Sequence, residues 1–210
     1  MAASDVTEHL LRAVDRIGPL IEEHAADAEA NRQLSSAVFD AMYQVGLFGM
    51  LAPRARGGHE LHPVDCMRIW EAVARIDSAA AWNLVMNQAV ANFAAWLPVE
   101  GADELFRDGI PTAATAFHPL AAATRVEGGW RITGQVPFAS GCRNVKWLAM
   151  PAAEMEGGRR RLIRQAGNRC LSWRSFPAAP PALRTPGTQP ACAELAQPIL
   201  SSGIWLFRTR

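Results

Sequence analysis

Cysteine is scarce and scattered in this 210-residue chain. Cys66, Cys142, Cys170 and Cys192 form no Cys-x-x-Cys pair, which argues against a metal site or a disulfide framework and suits a reducing cytoplasm. An excess of one charge is also missing: the formal balance is +1, so no global field draws the chain to nucleic acid or a membrane surface. No apolar run approaches the ~20 residues that span a bilayer. Residues Met1 to Glu8 are polar and acidic, without the basic and apolar regions of a secretory leader, and none is expected. Apolar residues themselves are plentiful, at 50% of the chain, enough for a core in one domain or two small ones.

The first hundred residues carry a helical period. Ser4 and Asp5 offer an N-cap for Val6, Leu10, Val14, Ile17 and Ile21, although Gly18-Pro19 predicts a kink or break. Ser35-Ser36 caps a second helix through Val38, Phe39, Met42 and Tyr43, ending near Gly46. Pro63 suits the first turn of a third, through Met67, Trp70 and Val73. Asp77 or Ser78 opens a fourth, which the spacing carries to Trp96, and a short helix from Glu100 to Arg107 follows.

Beyond Pro111 the period becomes strand-like, over Thr112 to Phe117, Ala122 to Glu127, Trp130 to Thr133, Val136 to Ser140 and Lys146 to Met150. Helices followed by strands predict an α+β chain. Gly128-Gly129 supplies the positive φ of a tight hairpin turn. Phe138-Ala139-Ser140-Gly141, read as a strand, sends Phe138 and Ser140 to one face. A flat ring beside a hydroxyl suits a planar heteroaromatic ligand such as a flavin; an ordinary core strand is the alternative.

The stretch from Gly128 to Gly141 resembles the middle sheet domain of the acyl-CoA dehydrogenase superfamily, above all its branch of two-component flavin monooxygenases. That branch carries a similar Phe-Ala-Ser-Gly segment; here Trp130 stands for a Tyr and Val136 for a Trp, which removes one aromatic wall. Leu51 to Gly58 resembles the family's proline-to-glycine-pair loop, Asp77 to Trp82 the start of its substrate-side helix, and Ala116 to Pro119 its flavin-crossing loop. The resemblance spans about residues 5 to 155.

It implies an N-terminal helical bundle over residues 1–110 and a partial antiparallel, barrel-like β domain over 111–156. It also implies contacts to FAD or FMN from Phe117, His118, Phe138, Ser140 and Gly141, with Trp82 and Asn83 on the substrate side. The implied chemistry is acyl-CoA dehydrogenation or reduced-flavin hydroxylation of a small organic substrate, the latter with a flavin reductase as partner. Family members are homo-oligomers. Their acid–base residue lies in a C-terminal helical bundle that is not recognisable here, so no catalytic residue is assigned.

From Gly157 to Arg210 the composition changes to nine arginines, no lysine and one acid, with prolines clustered from Pro177 to Pro198. This segment reads either as a disordered Arg/Pro-rich tail or as the product of a shifted reading frame. Arg159-Arg160-Arg161 lacks interleaved aromatics and reads as solvated, not as a nucleic-acid patch. His59 and His62 read as a solvated helix entry, not a zinc site. The alternative to an enzyme is a non-catalytic remnant, or a helical interaction module without flavin.

Overall fold

Helix α1 (Ala3–Glu23) runs unbroken through Gly18 and Pro19, against the expected kink or break. Pro19 lacks an N–H and costs a hydrogen bond, but its ring faces solvent. The core-facing Val14 and Ile21 on either side, 1% and 2% exposed, keep the helix seated. Gly18 is needed for a different reason: a Cβ there would lie 3.2 Å from Ile76 Cδ1, so its bareness lets a later helix come close.

The computed structural model describes residues 3–116, 121–126, 129–136, 138–156, 159–160, 189–194, 197–198 and 204–208. Two units divide the chain, Met1–Asn92 with Asp108–Ala113, and Phe93–Arg107 with Ala114–Arg210.

The first unit is helical. After α1 comes the short α2 (Ala25–Asn31), which the sequence period does not reveal. Helix α3 (Ser36–Gln44) starts where Ser35 accepts a hydrogen bond from Val38 N, the expected cap. Helix α4 (Pro63–Ile76) opens on Pro63, and Asp77 both ends it and caps α5 (Ser78–Gln88) by accepting from Ala80 N. Helix α5 stops at Gln88, short of the expected Trp96, and a 3-10 helix continues over Ala89–Trp96. Leu10, Met42, Phe48, Ile69 and Leu84 are all at most 1% exposed and form the core. Each such side chain contributes roughly 1.5–3 kcal/mol of burial free energy. Phe48 stacks at a tilt on Phe39, ring centroids 4.7 Å apart.

The second unit starts at Phe93 within that 3-10 helix, continues with α6 (Val99–Phe106) and then forms a sheet. Its strands are β1 (Ala113–Thr115), β2 (Ala121–Val126), β3 (Gly129–Val136), β4 (Trp147–Glu156), β5 (Arg159–Arg160), β6 (Gln189–Glu194), β7 (Gln197–Pro198) and β8 (Ile204–Arg208). The main order is β6-β3-β2-β4-β8-β7, with β1 and β5 also on β4. Strands β2 and β3 form the expected antiparallel hairpin, but Val126 pairs with Gly129, so the connection is residues 127–128 and Gly129 belongs to the strand. Because β2 pairs with β4 in parallel, the sheet is mixed and not antiparallel throughout.

Two features shape this sheet. Gly134 lies across from Ala121, where a Cβ would come within 2.8 Å of the Ala121 Cβ. Strand β4 changes partners at Pro151: Trp147 to Pro151 pair with β8, and Ala152 to Met155 with β2. A proline has no N–H for a ladder, so it fits where one set of pairings ends and another begins. Strands β6 and β7, from the segment after Gly157, lie at the ends of the order, and each contains a proline, Pro190 and Pro198. Proline is tolerated at sheet edges, and it blocks further pairing there.

Candidate functional site

Strand β3 ends at Val136, and Pro137 follows in the sequence. Phe138 therefore lies off the strand, in left-handed backbone with φ +58, and its side chain is 89% exposed. Ser140 N donates to Phe138 O at 2.8 Å, closing a three-residue turn around Ala139. Cys142 N then donates to Ala139 O at 3.1 Å and Asn144 N to Gly141 O at 2.9 Å. Gly141 takes φ +74, a region open to glycine without strain. The expected strand over Val136 to Ser140 is thus corrected to a strand end and a chain of tight turns. The same-face argument for Phe138 and Ser140 falls with it, yet the turn holds the two residues together by a direct backbone bond.

A phenylalanine in left-handed backbone costs about 1–2 kcal/mol, and an exposed ring recovers little of it through burial. Strain of this kind concentrates where a ligand is held. The turn presents an open aromatic face, a half-buried hydroxyl at Ser140 and a side-chain-free backbone at Gly141. Those groups fit the face and edge of a flavin ring. Burial pushes the neighbouring Cys142 thiol up, partly opposed by the charge of Arg143 and a backbone hydrogen bond, which disfavours its thiolate.

In the first unit, Trp82 on α5 is 56% exposed, so it is not a core residue. Asn83 is half-buried, its Nδ2 donating to Ala79 O at 2.9 Å while its Oδ1 is buried without a partner. One helical turn on, Asn87 is fully buried and donates from Nδ2 to Ala113 O at 3.2 Å. Gln88 is also fully buried. Neither amide is among the residues expected from the sequence, because the helical period alone does not separate a buried amide from an exposed one; burial does. Phe117 and His118 lie outside the described residues.

The loop from Leu51 to Gly58 folds into a knot of backbone bonds. Pro53 O accepts from Arg56 N and Gly58 N, at 2.9 and 3.0 Å, and Glu60 N donates back to Ala52 O at 3.0 Å. Gly58 is required there, since a Cβ would sit 2.1 Å from Ala52 O. The two nearby histidines part company. His62 is exposed and caps α4, its Nδ1 accepting from Val64 N at 3.3 Å. His59, expected to be solvated, is half-buried instead, with Nε2 3.0 Å from where a Gly46 Cβ would be. Burial lowers its pKa; a backbone bond with Gly46 raises it, and His9 lowers it further.

Residues 13–105 match the family model described as the acyl-CoA dehydrogenase N-terminal domain. Among curated proteins, the chain is 24% identical over 162 residues to a flavin-dependent monooxygenase, oxygenase subunit HsaA, of Rhodococcus jostii, covering 71% of this chain and 39% of that protein. It is 28% identical over 150 residues to the oxygenase component of an FADH(2)-dependent resorcinol hydroxylase of a Rhizobium species, covering 66% and 34%. Among solved structures, the HsaA monooxygenase of M. tuberculosis superposes with a TM-score of 0.65 at 23% identity, over 74% of this chain and 41% of that one. XiaF from a Streptomyces species, solved with FADH2 and glycerol, superposes with a TM-score of 0.72 at 19% identity, over 99% and 50%.

Over residues 13–105 the chain is similar to the acyl-CoA dehydrogenase N-terminal domain, and its helices followed by a sheet share the fold of the solved monooxygenases. The HsaA relatives are named as oxygenase subunits of flavin-dependent monooxygenases, and the chain spans about two fifths of their length.

Proposed function

We propose that this chain forms the flavin-facing portion of the oxygenase component of a two-component flavin monooxygenase. The observation that carries the reading is the Phe138–Gly141 turn, an exposed and backbone-strained aromatic bonded to the serine of the family's Phe-Ala-Ser-Gly segment. Phe138 would stack on or edge the ring, the Ser140 hydroxyl would hydrogen-bond a ring nitrogen, and Gly141 would let the backbone approach. Phe117 and His118 would complete that side, and Trp82 and Asn83 would orient the substrate. Reduced FAD or FMN would supply electrons and activate dioxygen for hydroxylation of a small organic molecule. Relatives named as oxygenase components imply a separate flavin reductase. Acyl-CoA dehydrogenation is the less supported chemistry, because the relatives named above are monooxygenases and hydroxylases.

The domain reading that accompanies this function is a helical domain over residues 1–110, a partial barrel-like β domain over 111–156, and an Arg/Pro-rich segment over 157–210. The protein acts in the cytoplasm, and a homo-oligomer would be the family's way of finishing the site. No helix among the described residues is long and apolar enough to cross a membrane.

The alternative reading is a non-catalytic remnant, or a helical interaction module without flavin. A coupled assay separates the two. The chain is supplied with NADH, a flavin reductase, FAD or FMN, and hydroxyaromatic substrates. Hydroxylated product above the protein-free background supports the oxygenase reading; NADH oxidised wholly to hydrogen peroxide, with no product, supports the second.

A further inference from the structure

Charge is spread unevenly over the second unit. Between Ala114 and Ala153 its sequence holds Arg125, Arg131, Arg143 and Lys146 against one acid, Glu127, and Lys146 is the only lysine of the chain. Topology then sorts these charges by end. Strand β3 runs from the β2–β3 hairpin to the Phe138 turn, and β4 leaves on the far side of that turn at Trp147. The strand acids fall toward the opposite, hairpin end: Glu194 in register with Arg131, Glu154 with Ala123 and Glu156 with Arg159. At the turn end the register sets Arg208 opposite Trp147, and residues 137–150 contain no acid. Arg143 and Lys146 are both exposed there, on either side of the buried Val145.

Asn144 N donates to Gly141 O, so the loop doubles back on itself. Lys146 follows two residues on, a span of at most about 7 Å. Its long side chain therefore starts close to the turn that carries the exposed Phe138 ring. A guanidinium fork and an ammonium point charge both suit a phosphate monoester, which carries about −1.5 to −2 charges at pH 7.

Resting on the oxygenase reading above, we infer that Lys146, with Arg143, is an anion-binding pair for the phosphate of the flavin whose ring lies on Phe138, and that it sets a preference for FMN over riboflavin. The ring is common to both molecules, so Phe138 and Ser140 treat them alike. The phosphate alone separates them.

The full chain is titrated with FMN and with riboflavin in phosphate-free buffer, at about 0.02 and about 0.5 M salt. Flavin fluorescence gives the affinities for the wild type, Lys146→Gln and Lys146→Arg. At low salt the wild type is expected to bind FMN at least about 10-fold more tightly than riboflavin, the discrimination of one charge-assisted hydrogen bond. High salt should shrink that ratio, because exposed charges are screened. Lys146→Gln is expected to cut the ratio about 5-fold, while Lys146→Arg, which keeps the charge, retains it. Equal binding of FMN and riboflavin by the wild type overturns the inference and leaves the oxygenase reading standing. A ratio that Lys146→Gln does not alter does the same. Binding of neither flavin defeats the oxygenase reading itself, and the inference with it.

Discussion

Replacing Phe138 by glycine and by alanine tests whether the strained turn is real. Phe138 has φ +58 and is 89% exposed. Left-handed backbone costs a non-glycine residue about 1–2 kcal/mol. Glycine removes that cost but adds roughly 0.5–1 kcal/mol of unfolded-state entropy relative to alanine. Burial lost with so exposed a ring is on the order of 0.5 kcal/mol. Phe138→Gly should therefore leave stability unchanged to within about 1 kcal/mol, where truncating a buried phenylalanine would cost about 3–5. The sharper expectation is the order of the two variants, with glycine more stable than alanine by about 0.5–1 kcal/mol, in urea unfolding followed by tryptophan fluorescence. If the ring also stacks on flavin, both variants should lose roughly 1–3 kcal/mol of flavin affinity, the scale of aromatic–heterocycle stacking. Alanine more stable than glycine would refute the left-handed backbone, and a loss above about 3 kcal/mol in either variant would refute the exposed ring.

Three further outcomes follow from the helical unit. Gly58→Ala forces a Cβ to 2.1 Å from Ala52 O, and should destabilise by about 3 kcal/mol or more, read as a lowered melting temperature. Asp77→Ala removes the cap on Ala80 N and should cost about 1 kcal/mol in urea unfolding, whereas Asp77→Asn should restore most of it. Burial lowers the His59 pKa, so the folded state resists protonation that the unfolded chain accepts near pH ~6.5. Its contribution is full above that pH and is lost as pH falls through the folded pKa. Melting temperatures from pH 7.5 to 5 should thus fall more steeply for the wild type than for His59→Gln, and parallel curves would contradict this.

Local chemistry made the helices legible. Ser35, Pro63 and Asp77 mark starts in the sequence, and the structure begins helices beside each of them. Gly18-Pro19 misled because tertiary burial of Val14 and Ile21 outweighs one lost hydrogen bond. Helix α2 is invisible to the helical period because Ala28 is its one buried residue, which gives no stripe to read. The turn at Phe138 was read as a strand because alternation is visible in sequence and positive φ at a phenylalanine is not; Pro137 was the available warning. Strands β6 and β7 are masked in the sequence by Pro190 and Pro198, which their edge positions accommodate, whereas β8 (Ile204–Arg208) holds no proline and is a plain apolar run. Of the candidate residues, Phe138, Ser140 and Gly141 come from a motif in the second unit, while Asn87 and Gln88 in the first need burial to stand out.

The central claim is that the Phe138–Gly141 turn faces a flavin, and anaerobic titration of the chain with reduced FAD and reduced FMN tests it most directly. Equilibrium dialysis gives the affinity for the wild type, Phe138→Gly and Ser140→Ala. Saturable binding of one flavin by the wild type, weakened about 5-fold or more in both variants, is the predicted result. No saturable binding, or binding that neither variant alters, would contradict the account.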